Sequence, residues 1–234
     1  MSSWKEQVLG VPAVRERSLL KNVYLWMTAG LALTGIVALF IASRPSLVMT
    51  LVRNPALFFG LIVAEFLLVF FLSSRIQSLS PGAATLGFAV YAILNGITLS
   101  LIFLAYTGSS IARVFFITAG AFGGMSLYAL TTKKSLAGMG TYLMMGLWGI
   151  ILATVVNLFV RSSGLDWIIS YAGVALFLGL TAYDTQIIQS WNARMGSQAE
   201  ESEFIRVSIL GALKLYLDFI NLFLFFLRIF GRRN

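Results

Sequence analysis

The chain has 234 residues, of which 59% are hydrophobic and 11% charged, with a mean hydropathy of +0.88; this lies outside the soluble globular range and belongs to a lipid bilayer. It holds neither cysteine nor histidine, which excludes disulfides, iron–sulfur clusters, thiol nucleophiles, imidazole-ligated zinc or haem and triads of the Ser-His type. The net charge of +8, from 17 Lys and Arg against 9 Asp and Glu, is scattered over tails and short loops without an interleaved aromatic stripe, so it reads as membrane anchoring and not as a nucleic-acid surface.

Residues 1–22 are polar and carry Lys5, Glu6, Arg15, Glu16, Arg17 and Lys21, the composition of a short tail or a surface-lying helix. A hydrocarbon core of about 30 Å needs about 20 apolar residues per helix. Seven such runs follow, near 23–43, 55–74, 83–106, 112–131, 139–160, 167–190 and 206–228. The first is as long as a full span and lacks a convincing small-x-small cleavage site, so it reads as the first helix and not as a signal peptide. The expected fold is an all-α integral membrane protein, one seven-helix transmembrane domain over 23–230 with a short basic end at 231–234. The connections (SRPSLVMTLVRN, SRIQSLSPG, TTKKSLA, RSSGLD) are short, which makes consecutive spans antiparallel neighbours, and the longest loop is expected at about 191–205.

Glycines in GAFGG (Gly120 to Gly124) and at Gly138, Gly140, Gly146 and Gly149 suggest close helix packing in the fourth and fifth spans. Met139, Met144 and Met145 also read as packing residues, as do Trp26, Trp148, Trp167 and Trp191, several of them near expected membrane interfaces. With the N-terminus inside, nine Lys and Arg fall in inside segments and seven outside, a narrow bias toward a cytoplasmic N-terminus.

Glu65, Asp184, Lys214 and Asp218 fall inside spans, where an ionised side chain costs about 2.5–3.5 kcal/mol even on the lenient insertion scale, so each is a functional candidate by default. The inner ends of the second and sixth spans share a membrane side with the start of the seventh, which allows Arg75, Asp184 and Asp218 to meet. Two carboxylates in one low-dielectric site cannot both ionise cheaply, so Asp184 and Asp218 are expected to share a proton. The competing arrangement is a pair of static salt bridges, Asp218 with Lys214 one turn earlier and Asp184 with Arg75. Lys214, Asp218 and Asn221 share one helical face, a polar stripe that puts the seventh span inside the bundle. Glu65 and Arg228 are a further candidate pair, since the start of the second span and the end of the seventh lie on one side.

The segments AYDTQ at 182–186, LYLDFINLFLFFLRIFG at 215–231 and AVYAILNGITLSLIFLAYTGSSIARVFF at 89–116 resemble the Bax inhibitor-1 family, in particular its bacterial members, and TTKKSLAGMG at 131–140 also fits. The likeness covers nearly the whole chain. It implies a central seventh helix and a pH-sensitive calcium leak of the bacterial inner membrane controlled by two aspartates, which fall on Asp184 and Asp218 and would also hold calcium; Arg75 stands where a basic partner holds the first aspartate closed. No cofactor other than calcium as bound or permeant ion is expected, and the oligomeric state is left open. Lys214, a cation one turn from Asp218, could occupy the calcium site itself. The family also implies an activity of another class, restraint of a membrane-anchored AAA protease, with the N-terminal tail as handle. Tyr183-Asp184 and Pro55-Ala56-Leu57 echo the YD and PAL elements of intramembrane aspartyl proteases. However, Asp218 follows Leu215-Tyr216-Leu217 and not a Gly-x-Gly turn, and PAL precedes the dyad, so no catalysis is expected.

Overall fold

A computed structural model describes residues 19–195 and 200–234. The tail assigned to 1–22 therefore lies outside the described residues up to position 18, while Leu19 to Lys21 already belong to the first helix. Among the described residues nine α-helices follow in order: α1 (Leu19–Ala42), α2 (Pro45–Arg53), α3 (Pro55–Arg75), α4 (Pro81–Leu99), α5 (Ile102–Ala105), α6 (Gly108–Thr131), α7 (Gly140–Val160), α8 (Ser163–Met195) and α9 (Glu201–Phe230). Seven of these units, with α4 and α5 counted as one broken span, are long and apolar enough to cross a membrane.

Local chemistry starts and stops them. Pro45, Pro55 and Pro81 open α2, α3 and α4 at the first turn, where a missing N–H costs nothing and φ is preset. The Ser80 hydroxyl accepts from Ala83 N at 3.2 Å and the Thr107 hydroxyl from Ser110 N at 3.3 Å, capping α4 and α6. Arg161, at φ 53°, turns the chain out of α7.

The segment expected as a loop after the first span contains α2, whose Val48 and Leu51 are buried while Met49 and Val52 face outward. The long loop expected at 191–205 is mostly helix, because α8 runs to Met195 and α9 begins at Glu201. At about 1.5 Å per residue, α8 reaches some 50 Å, well beyond the hydrocarbon core.

The central position of the seventh span is borne out. In its most apolar stretch α9 is 67% buried, against 6% for α3 and for the fifth span. It packs against α8, α1, α6 and α4, while α3 packs chiefly against α4. The core is made largely of α9 side chains, among them Leu213, Leu215, Tyr216, Leu222 and Leu227, with Leu19 and Val23 of α1, Val114 of α6 and Ile188 of α8. The chain end is not free: Thr107 N donates to Arg232 O at 3.1 Å, Arg232 N to Ser110 Oγ at 2.8 Å and Asn234 N to Ala105 O at 3.1 Å.

The glycines that bring helices close are mostly not those expected. A Cβ on Gly120, Gly123, Gly124, Gly138 or Gly149 would meet nothing within 4 Å; for the first three, α6 turns Val114, Thr118, Phe122 and Ser126 inward and leaves these glycines outside that row. Gly140 and Gly146 do lie close to α8, against Tyr183 and Leu176. Comparably tight crossings lie at glycines not singled out: a Cβ on Gly96 would stand 2.7 Å from both Thr34 O and Val37 Cβ, and one on Gly173 2.6 Å from the Phe225 ring. The packing assignment also fails for Met139, Met144, Met145, Trp148 and Trp167, all exposed on the lipid-facing surface of α7 and α8. Trp26 and Trp191 pack against the core as expected.

Candidate functional site

Asp184 lies in the inward-facing row of α8 formed by Leu176, Phe177, Leu180, Thr181, Asp184 and Ile188, all buried. A row at spacings of three and four along a helix faces one neighbour, here α9. Asp184 is eleven residues before Met195, about 16 Å from the end of α8. Its carboxylate is 8% exposed and takes Lys214 Nζ at 3.1 Å on Oδ1 and 3.4 Å on Oδ2, so the ammonium straddles both oxygens. The Lys214 side chain is 37% exposed, although its ammonium holds the buried acid.

Asp218 stands one turn further along α9. The residue is 4% exposed, lies within electrostatic reach of both Asp184 and Lys214, and has a buried Oδ2 without a hydrogen-bond partner among the described residues. The three groups thus form a cluster of two acids and one cation in which the cation is committed to Asp184. An ionised carboxylate in such a place is costly unless it is paired or protonated, so the unsatisfied oxygen of Asp218 is the open hydrogen-bonding position of the site. Next to Asp184 in the chain, the Thr185 hydroxyl stands 3.5 Å from Tyr24 Oη of α1.

The pairing expected between Arg75 and Asp184 is not present. Arg75 is exposed at the end of α3, and α3 sits at the bundle edge against α4, so its last residue shares a membrane side with Asp184 but not a contact surface. The alternative salt bridge, Lys214 to Asp218 within α9, is not formed either, because Lys214 reaches across to α8. Asn221 does not join the site: its Nδ2 donates to Leu217 O of its own helix at 2.8 Å. Arg228 lies 3.8 Å from Asp166 at the start of α8 and 5.5 Å over the Phe225 ring, and so does not pair with Glu65.

Glu65 has a different set of partners, which reading the charges alone missed. Thr98 Oγ1 donates to its Oε1 at 2.8 Å and Asn95 Nδ2 to its Oε2 at 3.2 Å, and the same amide lies 3.2 Å from Tyr91 Oη. The signal was Asn95 itself, an amide in the middle of an apolar run. Tyr91 meets Tyr216 edge to face at 5.6 Å between ring centres, and Tyr216 Oη lies 2.6 Å from Thr34 Oγ1, which donates to Ala92 O at 2.9 Å. Gln186, within AYDTQ, clamps the α6–α7 connection: its Oε1 accepts from Leu136 N at 2.9 Å and its Nε2 donates to Lys134 O at 2.9 Å. Among the described residues no group of three or more acidic residues stands close enough to hold a metal ion, so calcium at Asp184 and Asp218 would need backbone or water oxygens as well.

Residues 16–234 match the family model described as inhibitor of apoptosis-promoting Bax1. The chain is 48% identical over 223 residues to the inner membrane protein YbhL of Escherichia coli strain K12, covering 95% of each chain. It is 44% identical over 218 residues to an uncharacterized protein of Deinococcus radiodurans, with 93% of this chain and 92% of that one covered. To an uncharacterized protein of Borreliella burgdorferi it is 42% identical over 225 residues, covering 94% and 96%. With seven apolar spans, one of them the central α9, the chain is a membrane protein and belongs to the Bax inhibitor-1 family.

Proposed function

We propose that this protein is a pH-sensitive calcium leak channel of the inner membrane, with its N-terminus in the cytoplasm, in which Asp184 and Asp218 form the ion site and Lys214 is its resident counter-ion. The observation that carries this reading is the buried, unpartnered Oδ2 of Asp218 beside the Asp184–Lys214 ion pair. The inner-membrane location rests on the name of the Escherichia coli relative, and the orientation on the nine inside against seven outside basic residues.

The charge arithmetic gives the direction of the pH response. With Asp218 protonated, the ionised Asp184 and the ammonium of Lys214 cancel, and the site attracts no cation. With Asp218 ionised, the three groups carry one net negative charge, and calcium can compete with Lys214 for the carboxylates. Calcium flux therefore rises with pH. In proteoliposomes loaded with a calcium dye, the wild type is expected to leak faster at alkaline than at acidic pH, with the dependence abolished in Asp218→Asn. A pH dependence identical in both proteins overturns the reading.

A second reading has its own support in the same ion pair. Because Lys214 already neutralises Asp184, the protein can do without conduction and act as a modulator of a membrane-anchored AAA protease. Flux at background in both the wild type and Lys214→Thr favours this reading.

A further inference from the structure

Two side-chain atoms buried in the bundle lack a hydrogen-bond partner among the described residues: Asp218 Oδ2 on α9 and Ser126 Oγ on α6. Ser126 is 4% exposed and lies in the inward row of α6 with Thr118 and Phe122. Other buried hydroxyls on the long helices are satisfied locally. Those of Thr118, Ser170, Thr181 and Ser208 each donate to the carbonyl four residues earlier, at 2.7 or 2.8 Å. Ser126 has the corresponding carbonyl of Phe122 one turn before it and does not take it. A buried polar atom left without a partner inside a membrane bundle calls for a guest that supplies one, a water or an ion.

The contacts on either side of Ser126 fix where it stands. One turn before it, Phe122 meets Phe219 edge to face with 5.5 Å between ring centres, and Phe219 directly follows Asp218 on α9. One turn after it, Ala129 packs with Ala182 of α8, and its carbonyl accepts from Gln186 Nε2 at 3.3 Å. Ala182 and Gln186 flank Asp184 on its two sides in the chain. Ser126 is thus bracketed between the neighbour of one acid and the neighbours of the other, in the seam where α6 packs against both α8 and α9.

We propose that Ser126 is a further oxygen ligand of the Asp184–Asp218 site, its hydroxyl and the open oxygen of Asp218 facing one guest position that takes a hard divalent cation. This rests on the reading of the two acids as a calcium site. Calcium asks for six to eight oxygens, more than two carboxylates supply, and a hydroxyl adds one without adding charge. It also comes from a third helix, so a cation held there ties α6 to the α8–α9 pair. With the site empty, Lys214 covers Asp184 and the other two oxygens are left without partners.

The chain has no cysteine, so Ser126→Cys introduces a single thiol with little change in size. The purified full-length variant in nanodiscs is titrated with cadmium chloride, a calcium-sized ion that favours thiolate, and the ultraviolet absorption of the cadmium–thiolate bond is followed. The absorption is expected in Ser126→Cys and falls when calcium is added in excess. With Asp218→Asn added, about tenfold or more cadmium is expected to be needed. An absent absorption, or one indifferent to Asp218→Asn, overturns the proposal. Ser126→Ala only removes an oxygen, and its calcium affinity by equilibrium dialysis should be weaker than the wild type by about threefold or more; an unchanged affinity also overturns it. Calcium flux is read separately. Cadmium binding that depends on Asp218, with flux at background, keeps Ser126 in the site and sinks the leak reading, whereas flux without such binding keeps the leak and removes Ser126.

Discussion

Lys214 Nζ lies 3.1 Å from Asp184 Oδ1 on the neighbouring helix, although Asp218 is only four residues away on its own helix and has a buried oxygen without a partner. The cation thus bridges α8 and α9 and leaves one acid uncompensated. Breaking such a pair from one side strands a charge, whereas replacing both members by apolar groups of similar size removes the desolvation cost. Lys214→Met should therefore lower stability by about 1–3 kcal/mol, between the values for exposed and for fully buried pairs because the Lys214 side chain is partly exposed. Adding Asp184→Leu should restore most of it, as measured by thermal unfolding in detergent.

Removing the cation also changes the ion site. At an effective dielectric of about 20, a unit charge some 6 Å away is worth on the order of 3 kcal/mol to another unit charge, before screening and rearrangement. A fraction of that suffices for a tenfold change in affinity. Calcium flux through Lys214→Thr proteoliposomes should exceed the wild type by about tenfold or more, and equal flux in the two would separate Lys214 from the ion path.

Arg75 is exposed on a helix that packs at the bundle edge. Arg75→Ala should consequently leave calcium flux and its pH dependence unchanged at equal reconstitution density. A rise in flux would mean that Arg75 reaches Asp184 in another conformation of the protein.

Gly96 and Gly120 make a paired test of packing. A methyl group on Gly96 would stand 2.7 Å from Thr34 O and from Val37 Cβ, whereas one on Gly120 would meet nothing within 4 Å. Gly96→Ala should cost about 1–3 kcal/mol through overpacking. Gly120→Ala should be neutral or stabilise by up to about 1 kcal/mol, since Ala is the better helix former. Thermal midpoints of the two variants decide it.

The Tyr216 hydroxyl meets Thr34 Oγ1 at 2.6 Å in the core, and Thr34 also donates to Ala92 O. Tyr216→Phe removes one bond and leaves Thr34 satisfied, so the expected loss is about 1 kcal/mol. Thr34→Val strands the Tyr216 hydroxyl in a dry site and should cost more, about 1–3 kcal/mol. A reversed order in denaturant unfolding would show that the Tyr216 hydroxyl finds another acceptor.

The sequence by itself determined the seven membrane spans, their alternation and the short list of charges that must matter, because hydrocarbon thickness and the cost of burying an ion act on composition before any fold exists. The polar stripe of Lys214, Asp218 and Asn221 also sufficed to put the last span at the centre, since a lipid-facing helix cannot carry one. Partner choice was not legible. Parity says which side of the membrane Arg75 shares with Asp184, and the i to i+4 spacing says that Lys214 can reach Asp218. Neither says which helices touch, and a long side chain goes to whichever acid the interhelical packing sets before it. Only the tertiary structure put α3 at the edge, brought α8 against α9, gave Glu65 to Asn95 and Thr98, and sent Arg228 to Asp166. The glycines divided in the same way: Gly140 and Gly146 were legible as close-packing positions, while the crossings of α1 with α4 and of α8 with α9 added Gly96 and Gly173 and left Gly120, Gly123 and Gly124 without a close neighbour.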